Sequence, residues 1–368
     1  MNRRIFLLGS AAAAAAAGQT SSHAVGTGII GVGNRGAYLL EGVLAQPNAK
    51  VVALCDVKPD RLDKAATAAA RDNPSTYVDW RKLLDRRDVD AVFIASPPDL
   101  HSQMAVAALQ AGKNVYCEKP IGITPEQVRA IVEAARKSNK VFVPGQQMRS
   151  FKQYVEAIRK IREGVIGEVA MLKAQRHASA DLPHDGTSAD WYFDVKRSGG
   201  YLIEQSVHNL DLCNWIIGSH PVRACGFGAI MLHRNDPPGR TIFDCGTLSY
   251  EYPGGIELSF TQNVFHPPHL PGGGQYIYVY GAKGAVDFIG TPTMYGPAED
   301  SSPVVLAEKP QPDDPHAHIA AFYDSVINGA KPPADVTIGA TAALTAILGH
   351  QAMTRRQVVE WTGMGVEL

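Results

Sequence analysis

Residues 27–36, Thr27-Gly28-Ile29-Ile30-Gly31-Val32-Gly33-Asn34-Arg35-Gly36, run from an apolar strand into a turn whose glycines follow a G-x-G-x-x-G spacing. Leu39, Leu40 and Val43 then recur at helical intervals, and residues 50–55 form a second apolar run ending in Asp56. A glycine triplet alone says little, but strand, glycine turn, helix, strand and terminal acid in this order describe a dinucleotide-binding unit. The glycines permit a tight turn and close backbone approach, and the helix N-terminus favours a pyrophosphate. Asp56 is placed to accept ribose hydroxyls and to repel a 2′-phosphate, which predicts NAD in preference to NADP.

The alternation continues. Strands are predicted over 90–96, 114–117 and 140–144, with helices near 102–112 and 125–138. Alternating strands and helices imply a parallel, doubly wound α/β sheet, whose ligands bind beyond the carboxyl ends of the strands. That rule brings Gly31, Gly33, Asn34, Arg35, Gly36, Asp56, Ser96, Pro97, His101, Glu118 and Lys119 to one sheet edge. Lys119 precedes Pro120, so the peptide bond after it is able to adopt the cis form and fix the ammonium direction. Beside a nicotinamide cation its pKa is expected to fall, making it a proton donor or acceptor. By position alone it is equally a solvated lysine in a surface turn.

At 368 residues the chain exceeds what one core usually supports, so two domains are expected. The net charge of −1 gives no electrostatic argument for nucleic acid or an anionic membrane surface. A small neutral ligand is the natural expectation. Residues 1–24 carry Arg3-Arg4 before an apolar, Ala-rich run and end on Ser22-His23-Ala24, the pattern of a twin-arginine signal peptide. This places the mature protein in the periplasm or outside the cell. No other apolar run is read as membrane-spanning. Five scattered cysteines without a C-x-x-C pair argue against a disulfide scaffold.

In the second half, residues 198–211, SGGYLIEQSVHNLD, read as one helix carrying Glu204, His208 and Asp211 on one face at spacings of four and three. The glycines before it are expected to let the helix approach the cofactor. Gln147 and Arg149 follow the last strand of the first half and are candidates for binding sugar hydroxyls, or for fixing the loop. Trp191 and Tyr192 lie in a polar loop with His184, Asp190 and Arg197; an aromatic pair beside charges suits a sugar face or a core anchor. Short strands are predicted over 168–178, 222–231, 241–251, 256–264 and 275–281, and helices near 151–163, 314–329 and 337–354. Glu204 and His208 have i,i+4 spacing, yet no dense His/Cys motif completes a metal site, so no metal is assigned.

The glycine fingerprint, Ser96-Pro97-Pro98-Asp99-Leu100-His101, Glu118-Lys119-Pro120, and Gly199-Gly200 followed by Glu204 and His208 together resemble the Gfo/Idh/MocA oxidoreductase family. The similarity extends over nearly the whole chain after residue 25. It implies an N-terminal Rossmann domain (25–145), an α+β domain with an open, mostly antiparallel sheet that covers substrate and builds oligomers (146–312), and C-terminal helices packing back on the first domain (313–368). It further implies that Lys119 is the catalytic lysine and His208 a proton relay or general base. Glu204 stands where many relatives carry Asp. Pro97 and His101 would border the nicotinamide.

Two reactions are consistent with that resemblance. One is NAD(P)-dependent oxidation or reduction of a hydroxyl carbon in a sugar, polyol or glycoside, with tightly held nucleotide. The other is glycoside cleavage through transient C3 oxidation, elimination, water addition and re-reduction. A homodimer or homotetramer is expected. A noncatalytic sugar sensor shares the fold, but export and the presence of both Lys119 and His208 argue against it.

Overall fold

The computed structural model describes residues 24–180, 189–312 and 314–368. The expected signal segment, apart from Ala24, and His184 lie outside the described residues.

The first layer is a six-stranded parallel sheet of β1 (Val25–Ile30), β2 (Ala49–Cys55), β3 (Ser75–Tyr77), β4 (Ala91–Ile94), β5 (Asn114–Cys117) and β6 (Phe142–Pro144). Its order is β3-β2-β1-β4-β5-β6, so the chain reverses direction across the sheet between β1 and β4. Five helices alternate with these strands: α1 (Asn34–Leu44), α2 (Pro59–Ala68), α3 (Trp80–Leu84), α4 (Pro98–Gln110) and α5 (Pro125–Lys137). All six residues of β1 are buried, as an inner strand covered on both faces requires. Helix α5 shows how local chemistry sets these boundaries: the Thr124 side chain accepts from Gln127 N–H, Pro125 fills the first turn, and Arg136 and Lys137 complement the C-terminal dipole.

A 3₁₀ turn (Gln147–Ser150) and α6 (Lys152–Arg162) lead into the second layer. There β7 (Val169–His177) is followed by short helices α7 (Ala189–Tyr192), α8 (Val195–Ser198) and α9 (Tyr201–Glu204), then α10 (Val207–Ile217). Strands β8 (Arg223–Ala229), β9 (Cys245–Glu251), β10 (Glu257–Asn263), β11 (Gly274–Gly281), β12 (Gly284–Asp287), β13 (Thr293–Tyr295) and β14 (Val304–Val305) follow. After α11 (Ala317–Asn328) and α12 (Val336–Arg355), β15 (Val359–Glu360) closes a nine-stranded sheet of order β14-β13-β12-β11-β7-β10-β9-β8-β15. Only the β7–β10 pairing is parallel. The architecture is therefore a Rossmann layer joined to an open, mostly antiparallel sheet.

The expected single helix over 198–211 is broken twice. Gly199 and Gly200 both have positive φ, one ending α8 and the other preceding α9. A second interruption at Gln205-Ser206 separates α9 from α10. A Cβ on Gly199 would meet Ile123 and Ile203 at 3.0–3.1 Å, so this glycine serves interdomain packing and chain reversal, not approach to a cofactor.

The C-terminal segment divides its packing. In α11, Ile319, Phe322 and Tyr323 join the Rossmann core beside Phe93 and Tyr116, and the Tyr323 hydroxyl lies 2.7 Å from Thr27 Oγ1. Helix α12 packs on α5 of the first layer and on α10 and β8 of the second. Its length and apolarity would suffice to cross a membrane, contrary to the expectation that no such segment follows the leader. About two thirds of it is buried between the layers, which accounts for that composition.

Candidate active site

A cavity of about 790 Å³ runs along the carboxyl edge of the Rossmann sheet to the start of the second layer. At one end Gly31, Gly33, Asn34, Arg35 and Asp56 form its wall. Gly36 lies behind them: a Cβ there would stand 1.9 Å from the Gly31 carbonyl oxygen, so only glycine allows α1 to start this close to the turn. Asp56 is buried. Its Oδ2 accepts from Val32 N–H and its Oδ1 from Lys58 N–H, both at 2.9 Å, which pins the glycine turn to the end of β2. Beside it, Val57 and Val78 are 73% and 63% exposed, and with Trp80 they make an apolar ledge that no periodicity marks. Lys58 and Arg61 add positive charge to the same rim. A glycine cradle, a helix start and an apolar ledge together fit a dinucleotide.

In the middle of the cavity, Ser96, Pro97 and His101 line the wall. The His101 ring nitrogens lie 2.7 Å from the Pro120 carbonyl oxygen and 2.8 Å from that of Ser96. Burial lowers its pKa, and these two contacts tie the β4 and β5 turns together. Glu118 accepts from Arg35 Nε at 2.7 Å and from the Lys119 backbone N–H at 3.2 Å, linking the glycine turn to the lysine turn. The Lys119-Pro120 bond is cis.

Lys119 Nζ donates to the Glu204 carbonyl oxygen at 2.6 Å and to Glu204 Oε1 at 2.9 Å. Both side chains are nearly buried, at 13% and 10% exposure, and both line the cavity. Two of the three ammonium donors are thus used and one remains. Gln205 donates from its amide to Glu204 Oε2. His208 lies in the first turn of α10 behind this wall, buried and not lining the cavity, so the expected cleft-facing placement is corrected. Its Nδ1 has no partner among the described residues. Burial first, then the charges of Lys119, Arg176 and Arg35, push its pKa well below the ordinary imidazole value. His208 is therefore a neutral base held beside a cation.

Of the residues expected to bind substrate, Trp191 and Tyr192 line the same cavity as Lys119, although Tyr192 is also a core anchor beside Tyr201 and Ile242. Arg149 is not there. It is buried, donates three hydrogen bonds to Asp211 at 2.8–3.1 Å and stacks on Trp215, because a guanidinium leaving the Rossmann layer meets the acid of α10 in the interior. Gln147, in the same turn, is likewise absent from the cavity wall. Arg197 and Gln205 line it without having been predicted for it; Arg197 is paired with Asp99 at 3.4 Å. Among the described residues no group of three His, Cys, Asp or Glu side chains is arranged to hold a metal.

Residues 25–146 match the model of the oxidoreductase family with an NAD-binding Rossmann fold, and residues 154–287 match the GFO/IDH/MocA C-terminal domain. The chain belongs to the Gfo/Idh/MocA family. A glycosyl hydrolase family 109 protein of Stenotrophomonas maltophilia is 33% identical over 189 residues, covering 47% of this chain and 42% of that protein. An inositol 2-dehydrogenase/D-chiro-inositol 3-dehydrogenase of Lactiplantibacillus plantarum is 29% identical over 53% of each chain. The matched stretches thus span about half the length of these Gfo/Idh/MocA relatives. A levoglucosan dehydrogenase solved with NADH and levoglucosan shares the fold at a TM-score of 0.79 and 18% identity, over 92% of this chain and 99% of that one.

Proposed function

We propose that the protein is an NAD-dependent oxidoreductase acting on a hydroxyl carbon of a sugar, polyol or glycoside. The observation that carries this reading is the Lys119–Glu204 pair at the end of a dinucleotide-shaped cavity, with neutral His208 buried behind that wall. The nucleotide, when bound, supplies the hydride acceptor or donor. Gly31, Gly33 and the start of α1 would hold its phosphates, and Asp56 its ribose hydroxyls, which favours NAD. Lys119 uses its remaining donor to orient the reacting hydroxyl, and the Lys119–Glu204–His208 cluster takes up the hydroxyl proton. Trp191 and Tyr192 pack on the sugar face.

A second reading, glycoside cleavage through transient oxidation, is favoured by the relatives named as glycosyl hydrolase family 109 proteins. The same lysine and histidine would serve its elimination step. The paired arginines of the leader support export by the twin-arginine route as a folded, nucleotide-loaded protein. The outer sheet face, where Met171, Phe227, Tyr280 and Tyr295 are exposed, supports pairing with further copies of the chain.

The deciding experiment purifies the protein without added cofactor, identifies any retained nucleotide, and follows nicotinamide absorbance with a panel of sugars and glycosides. Net absorbance change with a sugar supports the oxidoreductase. Aglycone release without net change supports the cleavage reading. No response to any compound refutes both.

A further inference from the structure

Three cations, Lys119, Arg176 and Arg35, act on buried His208, and two are neutralised within the protein. Arg35 pairs with Glu118 at 2.7 Å and Lys119 with Glu204 at 2.9 Å. The third, Arg176 near the end of β7, has no carboxylate partner among the described residues. Its Nη2 donates to Gln205 Oε1 at 2.7 Å and its Nη1 to Asn209 Oδ1 at 3.3 Å, both neutral amide oxygens. It is half-buried, where a guanidinium without a counter-charge is poorly solvated.

Arg176 lines a second recess of about 420 Å³ with His177, Ser179, Tyr201 and Gln275, and no acidic residue is on its described wall. His177 donates to or accepts from Thr261 through Nε2, while its Nδ1 has no partner among the described residues. Gln205 joins this recess to the catalytic cluster. Its side chain lines the main cavity, donates to Glu204 and accepts from Arg176. One side chain thus separates a guanidinium that has no carboxylate partner among the described residues from the Lys119–Glu204 pair.

We infer that the substrate is a carboxylated sugar, its carboxylate bound by Arg176 at the end of β7 while a ring hydroxyl meets Lys119. This rests on the sugar-oxidoreductase or glycosidase reading of the site. A guanidinium presents a planar fork that matches a carboxylate, and a single uncompensated charge calls for a monoanion, not the dianion of a sugar phosphate. A neutral sugar would leave the cation desolvated and unpaired.

The test is calorimetric titration of the nucleotide-loaded protein with D-glucuronate, D-galacturonate, their neutral parents D-glucose and D-galactose, and D-glucose 6-phosphate. At least one acid should bind about 10- to 100-fold tighter than its parent, the range for a charge-assisted hydrogen-bonded pair. Arg176→Met should bring the acid's Kd to that of the neutral sugar, and Arg176→Lys should restore part of the difference. Neutral sugars binding as tightly as the acids, tightest binding by the phosphate, or equal weakening of acid and parent by Arg176→Met would each overturn the inference. Should Arg176→Met not fold, the wild-type comparison still decides. Binding of neutral sugars without preference for acids sinks this inference alone, whereas binding of no sugar sinks the underlying reading with it.

Discussion

The Arg149–Asp211 pair offers a direct measure of whether Arg149 serves the fold or the substrate. Its side chains are 9% and 2% exposed, and three hydrogen bonds join them. Burial outweighs the attraction of Arg149 and holds the Asp211 carboxyl above the usual carboxylate range. The ionised pair therefore gains little over apolar side chains of the same shape, although each half depends on the other. Asp211→Ala strands a buried guanidinium and should destabilise the protein by about 3–5 kcal/mol, a large share of the roughly 5–15 kcal/mol that holds a protein folded. Arg149→Met with Asp211→Leu removes both charges while keeping volume and the contact with Trp215. That double variant should be as stable as wild type, or more stable by about 1–4 kcal/mol. Urea unfolding followed by circular dichroism reads the difference, and sugar KM on the double variant reads function. Loss of less than about 1 kcal/mol in Asp211→Ala would refute the energetic argument, since it falls below the penalty for one unsatisfied buried group. A folded double variant with wild-type nucleotide binding but a raised sugar KM would return Arg149 to the substrate site.

Lys119→Met should retain nucleotide but lose about 10²- to 10⁴-fold in turnover, the range for a positioned acid–base group, as followed by nicotinamide absorbance. Gly36→Val places a side chain against the Gly31 carbonyl, 1.9 Å from the ideal Cβ, and should abolish nucleotide retention measured as bound nucleotide per protein. Because burial and neighbouring cations lower the His208 pKa well below 6.5, the ring stays neutral as pH falls through the ordinary histidine range. The acidic limb of kcat/KM should then lie below pH 6.5, and an inflection at or above that value would show that the free enzyme's essential base is another group.

The Rossmann layer was legible in the sequence because its signals are local. A strand, a turn requiring glycine and an acid at the next strand end are written within thirty or so consecutive residues, and the buried parallel strands read as continuous apolar runs. Strands β3, β12, β13, β14 and β15 have two to four residues each, too short to show a period, and were not predicted. The ledge of Val57, Val78 and Trp80 was hidden for a different reason: an apolar residue kept exposed for a ligand has the same letter as one kept for the core.

Glu204, His208 and Asp211 show where spacing stops being informative. Their four- and three-residue intervals put them on one face of one helix, but the chain breaks at Gln205-Ser206 and each side chain finds a different solution to burial. Glu204 meets a lysine from the other domain, Asp211 meets an arginine from the domain crossover, and His208 meets no partner at Nδ1 among the described residues and gives up its charge. All three partners, or the lack of one, are set by residues more than sixty positions away or by packing, which helical periodicity does not encode. The same break frees Gln205 to bridge Glu204 and Arg176. An unbroken helix would have kept Gln205 in regular register with its neighbours. The interruption thus joins the lysine–glutamate pair and Arg176 in one hydrogen-bonded chain, and with it the proposed chemistry to the proposed choice of substrate.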